Sequence, residues 1–257
     1  MAGGGYKRGM RRLILVTLAL MTLAAGPGAM AAQTRVAVAA NFSEPAKQIA
    51  ARFKARTGHD AILSFGSSGQ FYAQIANGAP FDVLLSADRE RPEAAEAQGF
   101  GVVGSRFTYA VGRLVLYSRT PGLVDPKGTV LATGKFEKLA IADPKLAPYG
   151  VAAVEVLRKR GVYDALRPRL VQGASITQTY QFVDTGAAEL GFVALSQVVA
   201  VAGGSRWVVP AKDHTAIDQQ AVLLKVGADK PAAKAFLKFL KTAEARAIIR
   251  RYGYEAP

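Results

Sequence analysis

Four short segments of the chain have the pattern of a helix that begins in exposed backbone, and none has a Lys or Arg at its beginning. They are Ala-Ala-Asn-Phe-Ser at 39–43, Phe-Gly-Ser-Ser-Gly at 65–69, Pro-Tyr-Gly at 148–150 and Ala-Ser-Ile-Thr at 174–177. The first turn of a helix has unpaired N–H groups and a partial positive charge, so it attracts anions. If the four converge on one point, they can hold a small oxyanion through neutral donors alone.

A second glycine-rich segment, residues 99–104, matches the G-x-G-x-x-G pattern of dinucleotide-binding proteins. That pattern requires a strand before it and a helix after it, so that the pyrophosphate lies at the helix start. Here a charged helical pattern precedes it and a β-like run follows. We therefore predict that Gly99 ends a helix and that Gly104 forms a turn.

Catalytic and metal chemistry has little support in the sequence. Ser67 and Ser68 do not lie in a G-x-S-x-G elbow, where α/β hydrolases place their nucleophile. His59 and His214 both lie in polar loop patterns, and the chain has no Cys, so a transition-metal site lacks its usual ligands. The chain is predicted not to be an enzyme and to need no cofactor; a secreted α/β hydrolase is the disfavoured alternative.

The N-terminus has the features of a secretory signal peptide. A basic segment at 7–12 precedes the apolar run 13–25, and Ala-Met-Ala at 29–31 matches the small-x-small cleavage pattern. The run is shorter than the roughly twenty apolar residues that span a bilayer. We expect cleavage near Ala31 and export to the periplasm, with no stable membrane insertion afterwards.

The chain carries a formal net charge of +14, of which the basic N-terminal segment supplies four charges. The other Lys and Arg residues are dispersed over predicted helices and show no aromatic-interleaved basic motif. This pattern favours solvated helix faces that weakly attract anions, and it argues against a nucleic-acid partner.

Short β-like runs alternate with amphipathic helical runs along the rest of the chain, which predicts α/β architecture with mostly parallel sheets. One doubly wound domain also fits this pattern, but the length favours two lobes of ordinary domain size. Strands are expected at 36–39, 60–65, 81–86, 114–118, 138–142, 190–194, 206–210 and 219–225, and helices at 45–56, 70–76, 92–98, 151–160, 231–241 and 243–251.

Several of these segments together resemble the periplasmic molybdate-binding protein of ABC uptake systems. The likeness covers essentially the whole mature chain in the right order. It is carried by Val-Ala-Val-Ala-Ala-Asn-Phe at 36–42, Ser-Phe-Gly-Ser-Ser-Gly-Gln at 64–70, Gly-Ala-Pro-Phe-Asp-Val-Leu-Leu-Ser-Ala-Asp at 78–88, Ala-Asp-Pro-Lys-Leu-Ala-Pro-Tyr-Gly at 142–150, Leu-Gly-Phe-Val-Ala-Leu-Ser at 190–196 and Arg-Tyr-Gly-Tyr at 251–254.

The resemblance implies a two-lobed periplasmic binding protein fold (type II), with two α/β domains joined by crossover strands and a ligand cleft between them. The oxyanion would be held by hydrogen bonds without a counter-charge. Asn41, through its side chain and N–H, with Ala40 beside it, and Ser68, through its hydroxyl and N–H, would line the first lobe. Tyr149 and Ile176 would line the second lobe through backbone N–H groups. If the oxyanion's Mo or W is counted as a metal, these five residues are also the metal site.

One position departs from many members of this family. They carry a Tyr whose hydroxyl reaches the ligand after the Gly-x-Val of the second lobe, where this chain has Ala194. In those members the position matching Tyr149 is commonly small. The departure suggests that the phenol of Tyr149 replaces the missing one from another wall.

The sequence therefore predicts an exported, monomeric receptor that captures molybdate, and also tungstate, for the permease of an ABC importer. Lobe 1 is expected at 32–112 and 211–257, lobe 2 at 113–210, and the signal peptide at 1–31. The alternative within the same fold is a binding protein for another anion, such as sulfate, phosphate or an organic anion.

Overall fold

The computed structural model describes residues 31–256, which form two five-stranded β-sheets. Each sheet has helices packed against it, and ten helices lie in the described part of the chain. The strands are β1 (Gln33–Ala39), β2 (Asp60–Gly66), β3 (Val83–Leu85), β4 (Phe107–Gly112), β5 (Leu114–Ser118), β6 (Leu139–Ala142), β7 (Leu170–Gly173), β8 (Leu190–Ala194), β9 (Ser205–Val208) and β10 (Ile217–Leu223). The helices are α1 (Ser43–Thr57), α2 (Ser68–Ala76), α3 (Glu90–Ala97), α4 (Val130–Thr133), α5 (Pro148–Lys159), α6 (Tyr163–Leu166), α7 (Ile176–Asp184), α8 (Leu195–Val198), α9 (Pro231–Leu240) and α10 (Ala243–Arg251).

Both sheets are mixed. The first has the order β2-β1-β3-β10-β4 and the second the order β7-β6-β8-β5-β9. In the first sheet β1 is parallel to β2 and β3, whereas β10 is antiparallel to β3 and β4. In the second, β6 is parallel to β7 and β8, whereas β5 is antiparallel to β8 and β9. The expectation of mostly parallel sheets is therefore wrong, although the α/β class is right.

The antiparallel strands are those by which the chain changes sheet. It leaves the first sheet at the end of β4 and enters the second at β5, with Arg113 between them. It returns to the first sheet between β9 and β10. There β10 lies between β3 and β4 and is antiparallel to both. Two connections therefore join the sheets, and both lie near one end of β10.

Alternating side chains on the buried strands build a core on both faces of each sheet. Val36 and Val38 of β1 pack in a cluster with residues of α1, α9 and α10, whereas Ala37 packs with residues of α2 and α3. A strand buried on both faces reads as a continuous apolar run, as β1 does. In the second sheet, Leu116 lies in the cluster that includes α5, and Val115 lies in the cluster on the other face.

The glycine-rich segment at 99–104 behaves as the sequence predicts. Helix α3 ends just before Gly99, whose φ of 81° is left-handed, and Gly104 has a φ of 78° in a turn. The strand β4 follows, so no helix start is available for a pyrophosphate here.

The predicted signal peptide lies outside the described residues, apart from Ala31 at its end. Within residues 31–256, no helix combines the length and apolar character needed to cross a bilayer.

Candidate functional site

A small cavity with an empty volume of about 200 Å³ lies where helix starts from both sheets meet. All five residues predicted from the sequence line it: Ala40, Asn41, Ser68, Tyr149 and Ile176. No charged side chain is among its lining residues. The others are Ala39, Gly66, Ser67, Ala87, Ala147 and Pro148.

We call the side of the cavity formed by the first sheet the first wall and the side formed by the second sheet the second wall. The first wall includes the start of α2, where local hydrogen bonds leave one backbone donor free. Ser67 caps the helix by accepting a hydrogen bond from the N–H of Gln70 at 3.3 Å, and the Gln70 side chain accepts from the N–H of Ser67. The N–H of Gly69 donates to the carbonyl oxygen of Leu146 at 2.9 Å. The N–H of Ser68 is then the first-turn donor with no acceptor in its own helix.

The Ser68 hydroxyl also has a proton available for donation. Its oxygen accepts a hydrogen bond from the N–H of Ala87 at 2.9 Å, and the residue is buried. A hydroxyl carries one proton and two lone pairs, so accepting from Ala87 leaves the proton for another acceptor. Ser68 can therefore present two donors to one ligand.

Asn41 lies in the other helix start of this wall, a single 3-10 turn at Ala40–Phe42 that leads into α1. Both hydrogens of its side-chain amide are used elsewhere: Nδ2 donates to Oε1 of Gln219 at 2.8 Å and to the hydroxyl of Tyr254 at 3.0 Å. The sequence predicted side chain and N–H as ligand donors. The structure leaves the backbone N–H for that purpose.

The second wall includes the start of α5. Pro148 occupies the first helical position and has no N–H, and the N–H of Gly150 donates to the carbonyl of Ala147 at 2.9 Å. The N–H of Tyr149 is thus the first donor of this helix that has no acceptor within it.

The start of α7 completes the second wall. Ser175 caps the helix by accepting from the N–H of Gln178, and the side chain of Gln178 accepts from the N–H of Ala174. These bonds satisfy the N–H groups of Ala174 and Gln178. The N–H of Ile176 belongs to the first turn between them and has no acceptor in its own helix, and Ile176 is buried against the cavity.

The two walls touch each other at the edge of the cavity. Besides the bond from Gly69 to Leu146, Nη2 of Arg91 donates to the carbonyl oxygen of Lys145 at 3.3 Å. The hydroxyl of Ser196, at the start of the second sheet's α8, donates to the carbonyl of Asn41 at 2.8 Å. The structure is therefore that of a closed site.

A buried polar network lies behind the cavity, and four of its members have no role predicted from the sequence: Tyr109, Ser196, Gln219 and Tyr254. The hydroxyl of Tyr254 contacts the carbonyl oxygen of Asn41 at 2.7 Å and Oγ of Ser196 at 2.9 Å. The hydroxyl of Tyr109 donates to Oε1 of Gln219 at 3.0 Å. The one signal in the sequence is the polar run at 218–220, which directly precedes the apolar run 221–224.

The phenol of Tyr149 joins the same network. Its oxygen lies 3.3 Å from Nε2 of Gln219, which donates to it, and the whole side chain is buried. Ala194, the position where other family members have a Tyr, is buried and is not among the residues that line the cavity. The hydroxyl of Tyr149 is thus engaged with the network, and the suggestion that it replaces the missing phenol at the ligand stays a prediction.

Burial raises the pKa of all three tyrosines of the network. The pKa of Tyr254 rises to about 12, and those of Tyr109 and Tyr149 rise well above their usual value, reinforced by the neighbouring Tyr254. The phenols are therefore neutral donors and acceptors across the physiological range, and no anionic oxygen from them opposes a bound anion.

This shift predicts a loss of stability at high pH. The unfolded Tyr254 ionises near pH 10 and the folded one near 12, so its stabilisation is complete below pH 10 and declines as the pH rises through 12. At pH 11 the free energy of unfolding should drop by about 1 kcal/mol more in the wild type than in Tyr254→Phe. Urea unfolding between pH 8 and 11 measures this, and parallel curves for the two proteins would contradict it.

Residues 34–255 match the family model described as bacterial extracellular solute-binding protein. The chain belongs to this family. It is 58% identical to the molybdate-binding protein ModA of Rhodobacter capsulatus, over 92% of this chain and 93% of that protein. It is 53% identical to the protein of the same name from Azotobacter vinelandii, over 93% of this chain and 98% of that one.

The solved structures with a similar fold also include a molybdate-binding protein. The periplasmic molybdate-binding protein of Azotobacter vinelandii superposes with a TM-score of 0.84 at 45% identity, covering 87% of this chain and 99% of that one. The sulfate-binding protein SubI of Mycobacterium tuberculosis has a TM-score of 0.72 at 15% identity, over 88% of this chain and 87% of its own, which shows the shared fold alone.

These comparisons confirm the resemblance to periplasmic molybdate-binding proteins and the two-lobed fold class. These molybdate-binding relatives are binding proteins and not enzymes, as the sequence predicts for this chain.

Proposed function

We propose that this protein is the receptor of an ABC importer and that it captures molybdate, and also tungstate, in the cavity between its two walls. The observation that carries the proposal is the set of helix-start N–H groups and the Ser68 hydroxyl around a cavity with no charged lining residue. The names of the relatives at 58% and 53% identity support it.

Neutral donors suit an oxyanion that must be bound and then released. A dianion at a helix start is stabilised by N–H groups and by the partial positive charge of the helix. An Arg or Lys in the cavity would add a strong charge-assisted bond. Its absence from the lining favours an anion that is already fully ionised and is recognised by its shape.

Shape also offers a means to tell molybdate from sulfate. Both are tetrahedral dianions, but Mo–O and W–O bonds are longer than S–O bonds. A fixed ring of donors spaced for the larger anion leaves some of them unpaired around the smaller one, and an unpaired buried donor costs about 1–3 kcal/mol.

The receptor role implies a fixed sequence of events. We infer that the signal peptide is removed near Ala31 and that the mature protein acts as a periplasmic monomer. We assign lobe 1 to 32–112 and 211–257 and lobe 2 to 113–210. These lobes would close on the anion by hinge bending at the two connections between the sheets and then deliver it to the permease.

Calorimetric titration of refolded, ligand-free protein tests this proposal. We expect molybdate and tungstate to bind tightly, and sulfate and phosphate to bind at least about tenfold more weakly, because each leaves donors unpaired. Tight binding of sulfate or phosphate without binding of molybdate would overturn the proposal in favour of another anion. Turnover of ester substrates would favour the hydrolase alternative.

A further inference from the structure

Gln219 is fully buried on β10, and each of its polar groups has a partner. Its Oε1 accepts from Nδ2 of Asn41 at 2.8 Å and from the hydroxyl of Tyr109 at 3.0 Å, and its Nε2 donates to the hydroxyl of Tyr149. It does not line the cavity, but Asn41 and Tyr149 do, one on each wall. One side chain therefore contacts both walls from behind.

The backbone around Gln219 is adapted to this contact. The pairing of β10 with β4 shifts register between Gln219 and Gln220. Such a bulge changes the direction of a side chain on the strand. On β4, a Cβ at Gly112 would overlap the hydroxyl of Tyr149 and crowd Nε2 of Gln219, so only glycine leaves room for the two groups to meet.

We propose that Gln219 is a positioning residue of the ligand site: it aligns the Asn41 turn with the start of α5 in the closed arrangement. The inference rests on the proposed function, because it concerns the affinity of the same cavity. Gln219 holds the side-chain amide of Asn41 and the phenol of Tyr149. These two residues supply backbone N–H groups to the ligand, so fixing their side chains also fixes those donors. Gln219 lies on β10, the strand on which the chain returns from the second sheet to the first. It can therefore fix Asn41 on the first wall and Tyr149 on the second relative to each other.

A purely structural role is the competing explanation, and the next residue provides a matched control. Gln220 is also buried on β10, but its amide pairs with Arg106 at 2.8 Å and with Thr108 at 3.3 Å, away from the cavity residues. Replacing either Gln by Met keeps the side-chain volume and removes the hydrogen bonds. Both variants should lose stability to a similar degree.

The test is calorimetric titration of molybdate into wild type, Gln219→Met and Gln220→Met, with the free energy of unfolding measured for each. We expect Gln219→Met to raise the Kd about five- to tenfold, because the donors lose their alignment, and Gln220→Met to leave it unchanged. An unchanged Kd for Gln219→Met, or an equal rise for both variants, would overturn the inference. Absence of molybdate binding by the wild type would instead overturn the proposed function.

A double-mutant cycle with Tyr149→Phe adds a readout that stability alone does not give. If Gln219 acts through the phenol of Tyr149, the combined variant should raise the Kd less than the product of the two single effects. Strictly multiplicative effects would show that Gln219 does not act through Tyr149 and would overturn that part of the inference.

Discussion

Adding one methyl group at Gly150 is expected to lower the affinity for molybdate about a hundredfold and to reduce stability by about 1–3 kcal/mol. Gly150 is the third residue of α5 and packs directly against the end of β6. A Cβ there would overlap the carbonyl oxygen of Ala142 and crowd the nitrogen of Pro144. These are backbone atoms that cannot rotate away, so the start of α5 must move, and the N–H of Tyr149 moves with it.

The measurement is molybdate titration of Gly150→Ala together with urea unfolding, and Val151→Ala is the control. Val151 is the next residue on the same helix and has an exposed side chain. Its truncation should change neither the Kd nor the position of the helix start. If Gly150→Ala bound molybdate as tightly as the wild type, the N-terminus of α5 would not be part of the site.

The helix starts of the site could be predicted from the sequence because their signals are local. Ser67 and Ser175 are cap residues placed directly before a helical pattern, and each is followed by a Gln three residues later. For α5 the apolar periodicity indicates only the run 151–160, whereas the Pro-Tyr-Gly pattern at 148–150 indicates the start, and the helix begins at Pro148, where proline is favoured. Local sequence signals thus located these helix starts to within a few residues.

The supporting network could not be predicted because its contacts are long-range. Asn41 meets Gln219 and Tyr254 across separations of 178 and 213 residues. The polar residues of β10 show in the sequence, but residue type alone does not distinguish a buried bridging Gln from one on an exposed strand face. The direction of β10 was missed for the same reason: a single apolar strand has no local signal that says whether its neighbours run with it or against it.

Removing the Ser68 hydroxyl is expected to weaken molybdate binding by about 1–3 kcal/mol, a factor of roughly 5 to 150. The hydroxyl oxygen accepts a hydrogen bond from the N–H of Ala87, so its proton remains available to an anion in the cavity. In Ser68→Ala the anion loses this donor, and the N–H of Ala87 loses its acceptor. Affinity and stability should therefore fall together.

Thr242→Ala separates these two effects. Thr242 is also a hydroxyl residue at a helix start, where it caps α10 by accepting from the N–H of Ala245, and it is not among the residues that line the cavity. Its loss should cost about 1 kcal/mol of stability, as for other caps, with no change in the Kd for molybdate. If Ser68→Ala behaved in the same way, losing stability but keeping its Kd, the hydroxyl would serve only the fold. The backbone N–H groups would then have to hold the anion alone. A weaker Kd in Ser68→Ala alone would place the hydroxyl among the ligand's donors.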